Sequence, residues 1–233
     1  VMAFGYPRES VCVDIIQMVR LVENGVEVKM SKRTGNALTI RDLCEDIGVD
    51  AARYFFVARA VDTHFDFDLG LARSASADNP VFYAQYAHAR ICSILNDAKE
   101  KGISYAKEIK DIIDEDSKAL ILKVYEFSDV VSNAALKKEP HLITNYVYEL
   151  ASMFHNYYGK HRILTEDIKE SEERLGLIKA VKITIKNALR LIGVKAIDKI
   201  GDNLIVLYSD PEIRNRLAVG NENVDYYIRP YTD

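Results

Sequence analysis

Lys29 and Lys32, in the run Lys29-Met30-Ser31-Lys32, are the residues best suited to chemistry. Two ammonium groups crowd a short segment that leaves a β-prone run. Gly35 and Asn36 follow, so the loop tolerates unusual φ and its backbone can approach a ligand. Such a loop suits a polyphosphate. Phosphoryl and adenylyl transfer ask for placement, and for positive charge where the leaving group gains negative charge. A flexible lysine supplies that as a movable point charge. A Lys-Ser-Lys run alone is usually a solvated loop, so its surroundings must decide.

Those surroundings read as follows. Val11, Val13 and Ile15 alternate in strand fashion. The β-prone runs 19–22 and 26–29 flank Asn24-Gly25, which favours a tight turn with positive φ and hence a hairpin leading into the lysine loop. Thr39 is placed to cap a short helix over Arg41–Ile47, with Asp42 at the acidic position of a capping box. After Gly48, Asp50 is expected to cap a helix over Ala51 to about Ala60. Residues 62–69 alternate again, with Phe65, Phe67 and Leu69 opposite Asp66 and Asp68. The acidic pair Asp66/Asp68 reads as a strand's polar face, and Glu172/Glu173 as a solvated helix start.

From Asp78 the period becomes helical. Asp78-Asn79-Pro80 is a strong start, with Asp as the cap and proline in the first turn. That helix is predicted to run to about Lys101 and stop at Gly102. Further helices are predicted over Glu115–Lys138, Leu142–Tyr158 and about Glu170–Ile192, the last stopped by Gly193. Each carries an apolar stripe, such as Leu175, Ile178, Val181 and Ile185. Four such helices with short connections make a bundle. The predicted class is mainly α with a small β part, divided into 1–75, 76–200 and a tail at 201–233. In the tail, 204–208 reads as a strand and 211–218 as a short helix.

The chain has 233 residues, 48% hydrophobic and 28% charged, with formal net charge −4. These are values of an ordinary globular protein. No apolar run is long enough to cross a bilayer. The opening residues lack the basic-then-apolar pattern of a secretory signal and read as the interior of a folded unit. Cys12, Cys44 and Cys92 are dispersed and odd in number, which argues against a disulfide framework or a zinc site and for reduced thiols in a cytoplasm. A protein whose main task was coating nucleic acid would be basic. Any RNA binding here must rest on a local surface and on specificity.

Beyond Lys29–Asn36, Thr39 and Asp42-Leu43, longer strings narrow the reading. Lys29–Asn36, followed by Thr39 and Asp42-Leu43, resembles the second signature loop of class I aminoacyl-tRNA synthetases. Residues 50–56 (Asp-Ala-Ala-Arg-Tyr-Phe-Phe), 62–69 and 79–90 (Asn-Pro-Val-Phe-Tyr-Ala-Gln-Tyr-Ala-His-Ala-Arg) are similar to arginyl-tRNA synthetase. So are 154–158 with 162–164, and 188–194, the segment after which the family's anticodon-binding fold is named. The resemblance runs from Ala3 to about Ile200.

It implies the end of a Rossmann-type catalytic domain followed by an α-helical anticodon-binding bundle. It also implies ATP-dependent attachment of arginine to tRNA-Arg through arginyl-adenylate, with Mg2+ accompanying ATP and no zinc. Lys29 and Lys32 would steady the phosphates, with Lys32 the transition-state contact. Met30 and Ser31 would shape the loop and touch the adenosine. Tyr83 and Ala87 share a face, and Arg90 lies one turn further on. An aromatic beside a small residue can receive a splayed base, and an arginine can hold phosphate or stack. The resemblance places Tyr83 and Ala87 against the anticodon loop, with His155, Tyr158 and Arg162 completing the surface. Tyr86, His88 and Phe154 have core packing as an equal alternative.

Departures are plain. No His-x-Gly-His string is present, so the chain alone is expected to be inactive. Separately, a monomer that partners tRNA-Arg and no membrane is expected. The 33 residues after Ile200 match nothing in the family, which usually ends there. A tRNA-binding module with no catalytic role stays open. Another class I synthetase, such as the cysteinyl or methionyl enzyme, is disfavoured by the cysteine spacing and by Asn79-Pro80-Val81-Phe82-Tyr83.

Overall fold

The computed structural model describes residues 2–11, 13–28, 39–112 and 114–199. The lysine loop at 29–32 and the predicted elements of the tail lie outside them. A hairpin, β1 (Val19–Glu23) and β2 (Val26–Glu27), turns at Asn24 and Gly25, both at positive φ. β3 (Phe65–Asp68) adds to β1 in parallel, with Leu21 opposite Phe67. Arg20 and Asp66 pair across that register at 2.7 Å. Phe65 and Phe67 are buried while Asp66 is exposed, as the alternation predicts.

The alternation over Val11, Val13 and Ile15 gives no strand among the described residues. Val13 and Ile15 are about four-fifths exposed, and no described strand lies alongside to take their backbone hydrogen bonds.

α1 (Ile40–Ile47) starts at Thr39, which forms the predicted capping box with Asp42. α2 (Val49–Val57) starts one residue after Gly48, so Asp50 is inside the helix and does not cap it. Its carboxylate instead accepts from Gln85 at 3.1 Å. Asp68 caps the short α3 (Leu69–Arg73), whose Arg73 bridges Asp46 and Glu23.

The bundle begins with α4 (Pro80–Glu100). Its cap is Asn79, not Asp78: the Asn79 amide oxygen accepts from Val81 and Phe82, and its nitrogen donates to the carbonyls of Ala72 and Ser74. That leaves Asn79 buried and ties the helix start to the end of α3. The single helix predicted over 115–138 is two, α5 (Glu115–Tyr125) and α6 (Phe127–Lys137). In an unbroken helix the Lys123 carbonyl would take the amide of Phe127. Here it accepts the Tyr146 hydroxyl at 2.6 Å. α7 (His141–Lys160) and α8 (Ile168–Leu191) complete the set. α4, α7 and α8 pack on one another around Ile91, Leu150, Phe154, Ile178, Val181, Ile185 and Leu189, all fully buried.

α8 ends in a Schellman motif: Val194 N–H donates to the Leu189 carbonyl, Gly193 N–H to Arg190, and Gly193 sits at φ +73°. The chain then folds back as a strap along α4. The strap carbonyls of Lys195 and Ile197 accept from Gln85 and from His88 Nδ1.

Glu173 is not the solvated helix start expected of it. It is 3% exposed, and its carboxylate accepts the amides of Asp111 and Ile112 at 2.8 and 3.0 Å, pinning the loop that precedes α5. No described helix is long and apolar enough to cross a membrane.

Candidate nucleic-acid interface

One side of the bundle concentrates half-buried aromatic rings. α4 supplies Phe82 and Tyr83, then Tyr86 three to four residues on and Arg90 four beyond that. α7 supplies Tyr148, His155 and Tyr158 from a matching stripe. Tyr83 lies between two α7 rings, 4.6 Å from His155 and 5.3 Å from Tyr148 between centroids. Tyr86 stacks on the other edge of His155 at 5.5 Å and continues to Phe82 at 6.0 Å. Beneath them Phe154 is fully buried and packs on both His155 and Tyr158.

Arg90 is held rather than free. Its Nη1 donates to the Tyr86 hydroxyl at 3.4 Å and its Nη2 to the Tyr158 hydroxyl at 3.2 Å, and the guanidinium carbon stands 4.8 Å from the Tyr158 ring. Burial holds the His155 imidazole below its usual range, and the Arg90 charge adds to that against the opposing Tyr83 backbone. A neutral ring can pack among Tyr83, Tyr86 and Phe154 without leaving a charge buried.

The predicted residues therefore separate. Tyr83, Arg90, His155 and Tyr158 come together. Ala87 is on the same helix but is fully buried, so it offers no surface to touch. Arg162 is exposed just beyond α7, where its carbonyl accepts from Arg174. Of the residues given two readings, His88 and Phe154 are core and Tyr86 is on the face. Tyr148 was missed. It is 41% exposed, touches Tyr83 and borders a cleft of about 400 Å³ shared with Tyr54, Phe65 and Asp66. Its spacing of seven from His155, two helical turns, was the available signal.

Two groups of described side chains bring potential metal ligands within 4.8 Å: His88, Cys92 and Asp198, and Asp114, Asp116 and His161. Hydrogen bonds account for both. His88 Nδ1, the nitrogen turned toward Cys92 and Asp198, carries the proton it donates to the Ile197 carbonyl and so has no free lone pair for a metal. The Cys92 thiol donates to Asp198, and His161 pairs with Asp116 at 3.0 Å.

The profile of the DALR anticodon binding domain matches residues 84–200, about half of the chain. An arginine–tRNA ligase of Staphylococcus aureus strain USA300 / TCH1516 is 51% identical over 195 residues, which is 83% of this chain and 35% of the relative. The chain thus spans about a third of the length of the curated relatives it matches. A Campylobacter jejuni arginyl-tRNA synthetase structure superposes with TM-score 0.71 and 29% identity, covering 79% of this chain and 40% of that one. The Thermus thermophilus arginyl-tRNA synthetase shares the fold at TM-score 0.64 and 22% identity, over 77% and 34% of the two chains. With that profile lying over α4 to the strap, the chain belongs to the DALR anticodon binding domain family and is similar over most of its length to arginine–tRNA ligases.

Proposed function

We propose that this chain supplies the tRNA-gripping part of an ATP-dependent arginine–tRNA ligase. The observation that carries the reading is the aromatic band on α4 and α7, with Arg90 locking Tyr86 and Tyr158 into one surface. Unstacked anticodon bases would lie on the half-buried rings of Tyr83 and Tyr86, which pack against His155 and are held in place by it. Arg90 acts by holding tyrosines, and its charge lies close behind them for a phosphate. The kinship with arginine–tRNA ligases supports tRNA-Arg as the partner.

In this reading Lys29 and Lys32 steady the phosphates of ATP, bound with Mg2+, while the arginine carboxylate attacks the α-phosphate. Met30 and Ser31 shape that loop. The support is the residue pattern itself. The arginyl group then passes to the tRNA. Activity in this reading also needs what the rest of the relatives' length provides, since this chain spans 35% of it. The proposed compartment is the cytoplasm, supported by the free thiols of Cys44 and Cys92.

The test is a gel-shift comparison of tRNA-Arg with a second tRNA at matched salt. Tighter retention of tRNA-Arg is expected. Equal retention would remove anticodon recognition, because phosphate contacts alone do not discriminate.

A further inference from the structure

α8 carries a line of positive charge that the aromatic face does not use. Lys179, Lys182, Lys186 and Arg190 recur at intervals of three, four and four, so they stand in one row. At the α-helical rise the row is about 16 Å long. Its opposite side is core: Val181, Ile185, Ala188 and Leu189 are buried. Lys186 and Arg190 are exposed, and Lys179 and Lys182 half-buried. Among the described residues, none of the four forms an ion pair with a carboxylate.

Helix electrostatics explain little of this. Cations near a helix C-terminus are favoured only within the last turn. Arg190 alone is there. The others face like charges three or four residues away, an arrangement that weakens a helix. Asp198 of the strap acts on the same Cys92 and His88 as Lys182 does and offsets part of that one charge, whereas the exposed Lys186 and Arg190 have no carboxylate partner among the described residues.

The row also adjoins the helix that bears the aromatic band. Lys182 lies beside Cys92 of α4, and the charges of Lys182 and Lys186 both reach His88. At its other end the Tyr105 ring, 45% exposed, meets the Lys179 ammonium at 3.2 Å from its centroid. Five helical residues separate Tyr83 from His88, placing them about 140° apart around α4. Row and aromatic band therefore look out on different sides.

We infer that the Lys179–Lys182–Lys186–Arg190 row binds RNA phosphates, on a stretch of the bound tRNA other than the loop that faces Tyr83. This rests on the tRNA-binding reading above. Lysine ammonium groups in a row suit a sugar-phosphate backbone, which needs point charges rather than base-specific geometry.

The test uses the whole chain and fluorescence anisotropy with labelled tRNA-Arg and a second tRNA, from about 50 to 200 mM salt. Each phosphate contact contributes about −0.7 to −0.9 to the slope of log K against log salt. Lys182→Gln/Lys186→Gln/Arg190→Gln should make that slope shallower by about 2–3, weakening both RNAs alike. Lys186→Gln/Arg190→Gln, at two exposed positions, should make it shallower by about 1–2 and guards against misfolding by the triple variant. Tyr83→Ala should lower affinity and discrimination at unchanged slope. An unchanged slope in both charge variants, with tRNA-Arg still bound, overturns the inference while leaving the aromatic-face reading intact. A polyglutamate peptide that binds the wild type but not the variants, with the tRNA slope unmoved, assigns the row to an acidic protein and equally overturns it. Failure of the wild type to prefer tRNA-Arg, with the slope still falling in the variants, supports the row and removes the anticodon reading instead.

Discussion

Replacing Gly193 by alanine should cost this chain about 2–4 kcal/mol of stability, from two separable causes. Gly193 sits at φ +73°, where a side chain costs about 1–2 kcal/mol. A Cβ there would lie 2.1 Å from Arg53 Nε, 2.8 Å from its Cζ and 2.9 Å from its Cδ. Arg53 must then swing away and give up the bond its Nε donates to the Ile192 carbonyl at 3.0 Å. That bond closes the end of α8 against α2 and is worth about 1–2 kcal/mol. The two causes part in a double-mutant cycle. With Arg53→Ala already made the three nearest atoms are gone, and Gly193→Ala should cost only its backbone share of about 1–2 kcal/mol. Urea denaturation followed by far-UV circular dichroism gives all four stabilities. If the single effects simply add, with coupling below about 0.3–0.5 kcal/mol, the steric argument is wrong and the two residues are independent.

Three further outcomes follow from described contacts. Tyr83→Ala should weaken tRNA-Arg binding by about 1–3 kcal/mol, the worth of one base–aromatic stack, while Tyr83→Phe keeps it; filter binding decides. Gly176→Ala should cost about 1–3 kcal/mol by thermal or urea melting, because its Cβ would meet the Ala106 carbonyl oxygen at 2.5 Å and push off the loop before α5. Burial works to raise the Glu173 carboxyl, but the amides of Asp111, Ile112 and Lys110 outweigh it and hold it below its ordinary value. A group lowered on folding contributes fully above its unfolded value of about 4.3 and loses that contribution as pH falls through the folded one. Glu173→Gln should therefore flatten the acid limb of stability against pH and leave a lower plateau near neutrality.

Local chemistry made much of the fold readable. Thr39 with Asp42, Pro80 behind its cap, and Gly193 each announce a helix end through a requirement of the backbone at that point. The break between α5 and α6 was hidden because Glu126 and its neighbours are acceptable helix residues. Its cause, the Tyr146 hydroxyl, arrives from another helix. The parallel pairing of β1 with β3 was hidden likewise, since strands 46 residues apart carry no shared local signal. For the site, spacing alone brought Tyr83 to Arg90. That Arg90 is already occupied by two tyrosine hydroxyls depends on α7 and could not be read along α4. Glu173 looked solvated because its partners are amides of a distant loop, which every residue but proline possesses.

α4 uses nearly its whole circumference. One side bears the tyrosines and Arg90, another faces the core with Ala84, Ile91 and Ala98, and a third holds the strap through Gln85 and His88. One residue added or removed inside Pro80–Glu100 would turn everything beyond it by about 100°, delivering ring to core and core to solvent at once. Length changes along this helix therefore disturb the face, the core and the strap together.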